Sequence, residues 1–395
     1  MPRTILTNIG TIISGDIAEP LLDKDTISIK DGLIEQISTS AELKPEAGDT
    51  VIDCSGTTVT PGLIDSHCHV ILGDYTSRQK QLGFIESELH GGVTTMISAG
   101  EVHLSGRPKD PAGTKALAIL AAKAWANFRP GGAKVLGGAL ILEKGLERKD
   151  FEEMAREGVR VVGEIGLGSV KEPEDAAPMV EWARELGMTV MMHTGGTSIP
   201  GSSTVTADQV IRTNPHIASH VNGGPTAVAL EEVKRLVDET KLAIEIVHCG
   251  NPKMAVEAAN LCVKAKALDR MIIGNDAPSG TGVVPLGVLR VINHLAGLTD
   301  VKGVEAVCMA TGNTARIYRL NRGLVAEGKE ADLVIMDAPM GSVGEDAVSA
   351  IEAGDVPGVA MILVDGEIVV SKSRNTPPPK RKPTVSQYGG GEVTA

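Results

Sequence analysis

Two histidines one residue apart, His67 and His69, close an apolar run (Leu63-Ile64) within PGLIDSHCHV, residues 61–70. On a β-strand, residues i and i+2 share a face. Both imidazoles would then converge on one point, with Cys68 facing away. Converging neutral imidazoles are good ligands for zinc or iron, although an isolated pair also suits a solvent-facing strand end. Asp65, in register with both histidines, is a candidate to orient one imidazole from behind.

Further polar groups recur at the ends of apolar segments. RVVGEIG carries Glu164, TVMMHTGG His193, IASHVNGG His220, IEIVHCG His248 and IIGNDAP Asp276. A buried histidine can simply bond to a backbone carbonyl. A carboxylate inside a strand is harder to explain, because unpaired burial is costly or shifts its pKa. Glu164 and Asp276 therefore each require a cation nearby. His67, His69, Glu164, His193, His220 and Asp276 exceed one tetrahedral ligand set, which suggests two ions with Glu164 between them. Histidine and carboxylate ligation without thiolate fits Zn²⁺, Fe²⁺ or Mn²⁺. Such a pair of ions activates water for hydrolysis. Asp276 could then move the proton, and His248 could stabilise the charge on a carbonyl oxygen. His103, Arg107 and Lys109, in the loop after the second strand, are candidates for touching substrate. The Gly195–Ser203 loop could offer backbone N–H groups to an anion.

These residues need elements to position them. From Leu63 to Leu295 the sequence alternates strand-like and helical segments. Strands are expected at 63–70, 94–99, 134–142, 160–166, 189–194, 217–221, 242–248 and 271–275. Helices are expected near 78–90, 114–128, 150–157, 174–186, 207–212, 226–239, 252–267 and 286–295. Eight repeats over this length match a (β/α)8 TIM barrel, whose catalytic groups sit at the C-terminal strand ends. A doubly wound sheet is the alternative, weakened by the lack of a glycine-rich fingerprint after the early strands. Short strands flank the barrel at both ends. The expected organisation is a composite β-sandwich from residues 1–60 and 325–372, a barrel over 61–324, and an extended C-terminal tail over 373–395.

Composition bounds the rest. Hydrophobic residues make up 42% of the 395-residue chain and aromatics only 2%, so the core must be aliphatic. A net charge of −12 argues against nucleic acid or an anionic membrane as partner. No apolar segment is long enough to span a bilayer. Five cysteines without a CxxC pair, and no signal-like N-terminus, suggest reduced thiols in the cytoplasm.

With these residues in place, the chain resembles the amidohydrolase superfamily over nearly its whole length. PGLIDSHCH resembles that family's first-strand signature, and ATGNTARIYRLNRGLVAEGKEADLVIMDAP (310–339) its exit from the barrel into the composite domain. The resemblance implies a distorted barrel, a β-sandwich from both termini and hydrolysis at a carbon bonded to nitrogen. It assigns metal roles to His67, His69, His193, His220 and Asp276. It also implies a zinc/iron centre, a small, carboxylated cyclic amide as substrate, and a homotetramer. Where many binuclear members carry a carboxylated lysine on the fourth strand, this chain has Glu164, which resembles variants bridged directly by a carboxylate. Hydantoinase, dihydroorotase and imidazolonepropionase types are alternative cyclic amidohydrolases. A mononuclear deaminase typically has a glutamate three residues after the fifth-strand histidine, where this chain has Gly196. A non-catalytic scaffold would be expected to have lost ligands.

Overall fold

The computed structural model describes residues 2–70, 81–101, 104, 106–197, 203–223, 226–278, 284 and 286–389. The chain divides into two compact units: Met1–Ile64 with Ser87–Thr94 and Ile292–Ala395, and Asp65–Glu86 with Thr95–Val291.

Eight parallel strands form the barrel: β1 (Leu63–Cys68), β2 (Val93–Ser98), β3 (Lys134–Leu136), β4 (Val161–Ile165), β5 (Thr189–Met192), β6 (Ile217–Ala218), β7 (Ala243–Val247) and β8 (Met271–Gly274). They pair as two arcs, β3-β2-β1 and β4 through β8. Isolated parallel bridges close the ring, Leu140 to Val162 and Cys68 to Ala277. This is the expected (β/α)8 topology, and its distortion lies where strands were expected to run longer. β3 ends at Leu136 instead of Leu142. There Gly137 packs on Trp125 so closely that a Cβ would lie 2.2 Å from the indole Cδ1, and Gly138 turns the chain at φ 78°. β6 keeps two residues because His220 leaves the strand at φ 33°. Beyond it, the Asn222 side chain continues the pairing: its amide donates to the Val247 carbonyl at 2.8 Å and accepts from the Val247 N–H at 3.0 Å.

Helices follow the strands close to their expected places. Pro111–Asn127 is capped by Asp110, which accepts from the Gly113 N–H, and starts with proline at its first position. Pro252–Ala265 repeats that device with Asn251 and Pro252, and ends on Lys266 in the left-handed region. The helix expected over 78–90 is described from Gln81 to Leu89, its start lying outside the described residues.

The other unit is a sandwich of two sheets. One orders the strands Thr384–Gln387, Thr50–Asp53, Thr4–Thr7, Thr26–Lys30 and Leu33–Ser38. The second runs Glu367–Val370, Gly358–Val364, Leu333–Asp337, Thr58–Pro61, Thr11–Ile13 and Leu21–Leu22. Between them lies an aliphatic core that includes Leu6, Ile12, Ile27, Ile52, Val59, Leu333, Ile335 and Leu363. Burial of such side chains contributes about 1.5–3 kcal/mol each. Residues 373–389, expected as a tail, are extended and docked. Thr384–Gln387 pairs antiparallel with Thr50–Asp53. Arg381 places its guanidinium 2.6 Å from the fully buried Asp337 carboxylate.

Candidate metal centre

Asp65, His67, His69, Glu164, His193, His220, Glu245 and Asp276 are all buried. The predicted ligands come together as two trios sharing one carboxylate: His67, His69 and Glu164, then Glu164, His193 and His220. Glu164 directs Oε2 to the first trio, 3.6 Å from Nε2 of both His67 and His69. Asp276 Oδ1 completes that side, 3.2 Å from His69 Nε2 and 3.7 Å from His67 Nε2. A tetrahedral ion with ligand bonds of ~2.1 Å has ligand–ligand edges of about 3.4 Å. These four spacings fit that figure. On the other side, Glu164 Oε1 contacts His193 Nδ1 at 2.7 Å and His220 Nε2 more closely still.

The outward ring nitrogens decide which lone pairs are left to coordinate. His67 Nδ1 meets Glu245 Oε2 at 2.8 Å, and His69 Nδ1 faces the Gly100 carbonyl at 3.3 Å. His220 Nδ1 faces the Thr194 carbonyl at 3.2 Å, and His193 Nε2 the Gly196 carbonyl at 2.9 Å. Each acceptor requires a proton on that nitrogen, so the other nitrogen turns its lone pair inward. His67 Nε2, fully buried, has no hydrogen-bond partner. A donor set of four imidazole lone pairs and two carboxylates fits divalent metal ions.

The electrostatics agree. Burial raises carboxyl pKa values, yet Glu164 is held well below the usual range by His220 and by the His193 and His67 rings that face it. Asp276, against the same burial penalty, is lowered by the facing His69 ring and by His67 and His220. Burial disfavours a charged imidazole as well. Even so, Glu245 and Glu164 raise His67 well above its ordinary value, and Glu164 raises His220. The field favours positive charge at the centre.

Backbone geometry delivers these side chains. His220 at φ 33° and Asp276 at φ 60° adopt a region uncommon outside glycine. The Asp276 N–H donates to the His67 carbonyl at 2.7 Å, which ties the end of β8 to β1.

One expectation needs correction, and the other candidates are placed as follows. Asp65 does not orient an imidazole: its Oδ1 accepts the backbone N–H groups of His67 at 3.0 Å and Asn275 at 2.9 Å. The carboxylate facing the His67 ring is Glu245, in the middle of β7. Sequence reasoning missed it, although IEIVHCG shows the same signal as Glu164, a carboxylate within an apolar strand. His248 follows β7 directly and is half-buried, outside both trios. Arg107 is occupied, its guanidinium 2.8 Å from the buried Glu143 carboxylate. His103 lies outside the described residues, as do residues 198–202 of the Gly195–Ser203 loop. In the described part of that loop, the Gly195 and Gly196 N–H groups already donate to the carbonyls of Val205 and Thr226. No helix among the described residues is long and apolar enough to cross a membrane.

Fold and site together define a class, and comparison with known proteins agrees: the chain belongs to the amidohydrolase family, which it matches over residues 58–369. It is 61% identical over 382 residues to enamidase of Eubacterium barkeri, covering 96% of this chain and 99% of that one. The 1.9 Å crystal structure of enamidase superposes with a TM-score of 0.94 at 60% identity, covering 97% of this chain and all of the other. Imidazolonepropionase of Maricaulis maris is more distant, 26% identical over 383 residues, covering 83% of this chain and 91% of that one. An amidohydrolase from a Sargasso Sea sample shares the fold alone, with a TM-score of 0.65 at 19% identity.

Proposed function

We propose that this enzyme opens the lactam ring of 6-oxo-1,4,5,6-tetrahydronicotinate, yielding 2-formylglutarate and ammonia in nicotinate degradation. The observation that carries this reading is the shared Glu164 carboxylate between two histidine pairs, within a chain 61% identical to enamidase. Two divalent ions are proposed at the trios, zinc and iron in the first instance, with zinc alone or manganese as variants. Bound there, they would supply Lewis acidity toward the lactam carbonyl and acidify a water molecule.

The chain's own residues do the rest. Asp276 takes a proton from the attacking water and returns it to the ring nitrogen as the carbon–nitrogen bond breaks. To His248 we assign the steadying of the carbonyl oxygen as charge builds there. Ring opening consumes one water and leaves an enamine. Its imine tautomer consumes a second water and releases ammonia and the aldehyde. We assign this chemistry to the barrel, residues 61–324, and the sandwich to residues 1–60 and 325–372 together with the strand Thr384–Gln387. A homotetramer is the proposed assembly. The five free thiols fit a reducing cytoplasm.

A deaminase reading is disfavoured by Gly196. A Cβ there would lie 1.9 Å from Thr226 Oγ1, so a glutamate would enter only if Thr226 moved. The test is a turnover screen of lactams, imides, hydantoins and dihydroorotate with metal-replete enzyme. Opening of the tetrahydropyridone carboxylate in preference to the others is expected. A preference for hydantoins, dihydroorotate or imidazolonepropionate overturns the assignment.

A further inference from the structure

Glu245 is fully buried at the centre of an otherwise apolar strand, β7. Its carboxylate receives three donors. Oε1 accepts from the Ser66 hydroxyl at 2.6 Å. Oε2 accepts from His67 Nδ1 at 2.8 Å and from the His220 backbone N–H at 3.2 Å. One side chain thus holds an imidazole of the first trio and the backbone carrying an imidazole of the second. That second contact falls where it is needed, since His220 is at φ 33° and an uncommon conformation persists only when its surroundings fix it. Ser66, Glu245 and the His220 N–H also come from three different strands or strand ends, so the carboxylate links β1, β7 and the end of β6.

The geometry points to Glu245 as the positioning residue of the whole metal centre, fixing the His67 ring with its Nε2 lone pair inward and anchoring His220 through its N–H. This rests on the proposed metal centre but not on the identity of the substrate. A residue placed only to fill the barrel would be replaceable by a neutral isostere. A positioning carboxylate would not, because glutamine removes the negative charge that faces the His67 N–H and leaves one acceptor oxygen for the His67 and His220 N–H groups. Its NH₂ group can be met only at the Oε1 position, by a Ser66 hydroxyl turned to accept.

The test uses the full-length protein and reads metal binding directly, without substrate. Chelator competition gives the dissociation constant for Zn²⁺, and the visible absorption of the Co²⁺-loaded protein reports ligand geometry. Glu245→Gln is expected to weaken Zn²⁺ binding about 10–100-fold and to alter the Co²⁺ bands. Ser66→Ala removes one donor that pins the carboxylate while leaving both rings intact, and is expected to weaken binding roughly threefold, a fraction of that loss. Wild-type affinity and an unchanged Co²⁺ spectrum in Glu245→Gln overturn the assignment. If that variant does not fold, unchanged Zn²⁺ affinity in Ser66→Ala does so. A wild-type chain that binds no metal overturns the metal centre itself. Metal binding without lactam turnover overturns only the proposed substrate.

Discussion

Glu164 presents one oxygen to each trio, so it is the residue whose loss separates them. Glu164→Gln replaces a shared anion by a neutral amide with a single acceptor. Metal content, measured by mass spectrometry of the desalted protein, is expected to fall by at least half, with turnover reduced at least ~10³-fold. Asp276→Asn tests a different role. The amide retains an oxygen facing His67 and His69 but cannot take a proton. Most of the metal should remain while kcat drops on the order of 10²–10⁴-fold. Near-normal kcat would remove Asp276 from proton transfer. At this scale the sequence was informative about residue type and blind to direction. Glu164 and Glu245 are carboxylates in like surroundings, and no periodicity distinguishes the one facing the centre from the one facing a ring. Asp65 was misread for a related reason: register places it beside His67, but its oxygen reaches a backbone N–H before any imidazole.

Elements set how tightly those groups are held. Gly274, on β8, lies against β1 so closely that a Cβ would sit 2.8 Å from His67 Cβ and 3.0 Å from the His67 N. Gly274→Ala must push the strands apart or displace His67. We expect a loss of about 1–3 kcal/mol in urea unfolding, together with weaker metal binding. Wild-type values of both would show that the β8–β1 approach is not needed. The alternation of strands and helices was legible because each barrel strand is a short apolar run and each helix has its own period. Strand ends were less so. β3 and β6 stop early because Gly138 and His220 adopt positive φ, and in β6 the Asn222 amide substitutes for backbone pairing. Such side-chain pairing leaves no signature in a hydrophobic pattern.

The sandwich unit raises questions of whole-molecule stability. Arg381 is partly exposed, whereas its partner Asp337 is fully buried. Arg381→Ala therefore strands an anion, and a loss of about 2 kcal/mol is expected in denaturant titration. Arg3 and Asp49 provide a pH-dependent counterpart. Burial would raise the Asp49 carboxyl, but the Arg3 guanidinium and the N–H groups of Glu46 and Arg3 bring it below its ordinary value. A lowered folded pKa gives stability that is complete above the unfolded value, about 3.9, and is lost as pH falls through the lower folded one. The stability difference between the native chain and Asp49→Asn should be full at pH 6 and shrink below about pH 4. A constant difference would exclude the charge as its source. Matching strand-like pieces at both ends suggested the composite unit. The pairing of Thr384–Gln387 with Thr50–Asp53 was not legible, because a short polar strand carries little pattern and its partner is remote in sequence.

That pairing also orders events in time. Thr50–Asp53 lies between Thr4–Thr7 on one side and Thr384–Gln387 on the other. The first neighbour emerges from the ribosome before it, and the second about 330 residues later. At typical elongation rates the open edge waits on the order of half a minute. For that interval the nascent protein carries an unpaired strand of the kind that recruits foreign strands, while the barrel is being synthesised between the two halves of its sheet. Completion of this sheet is a late event of biosynthesis.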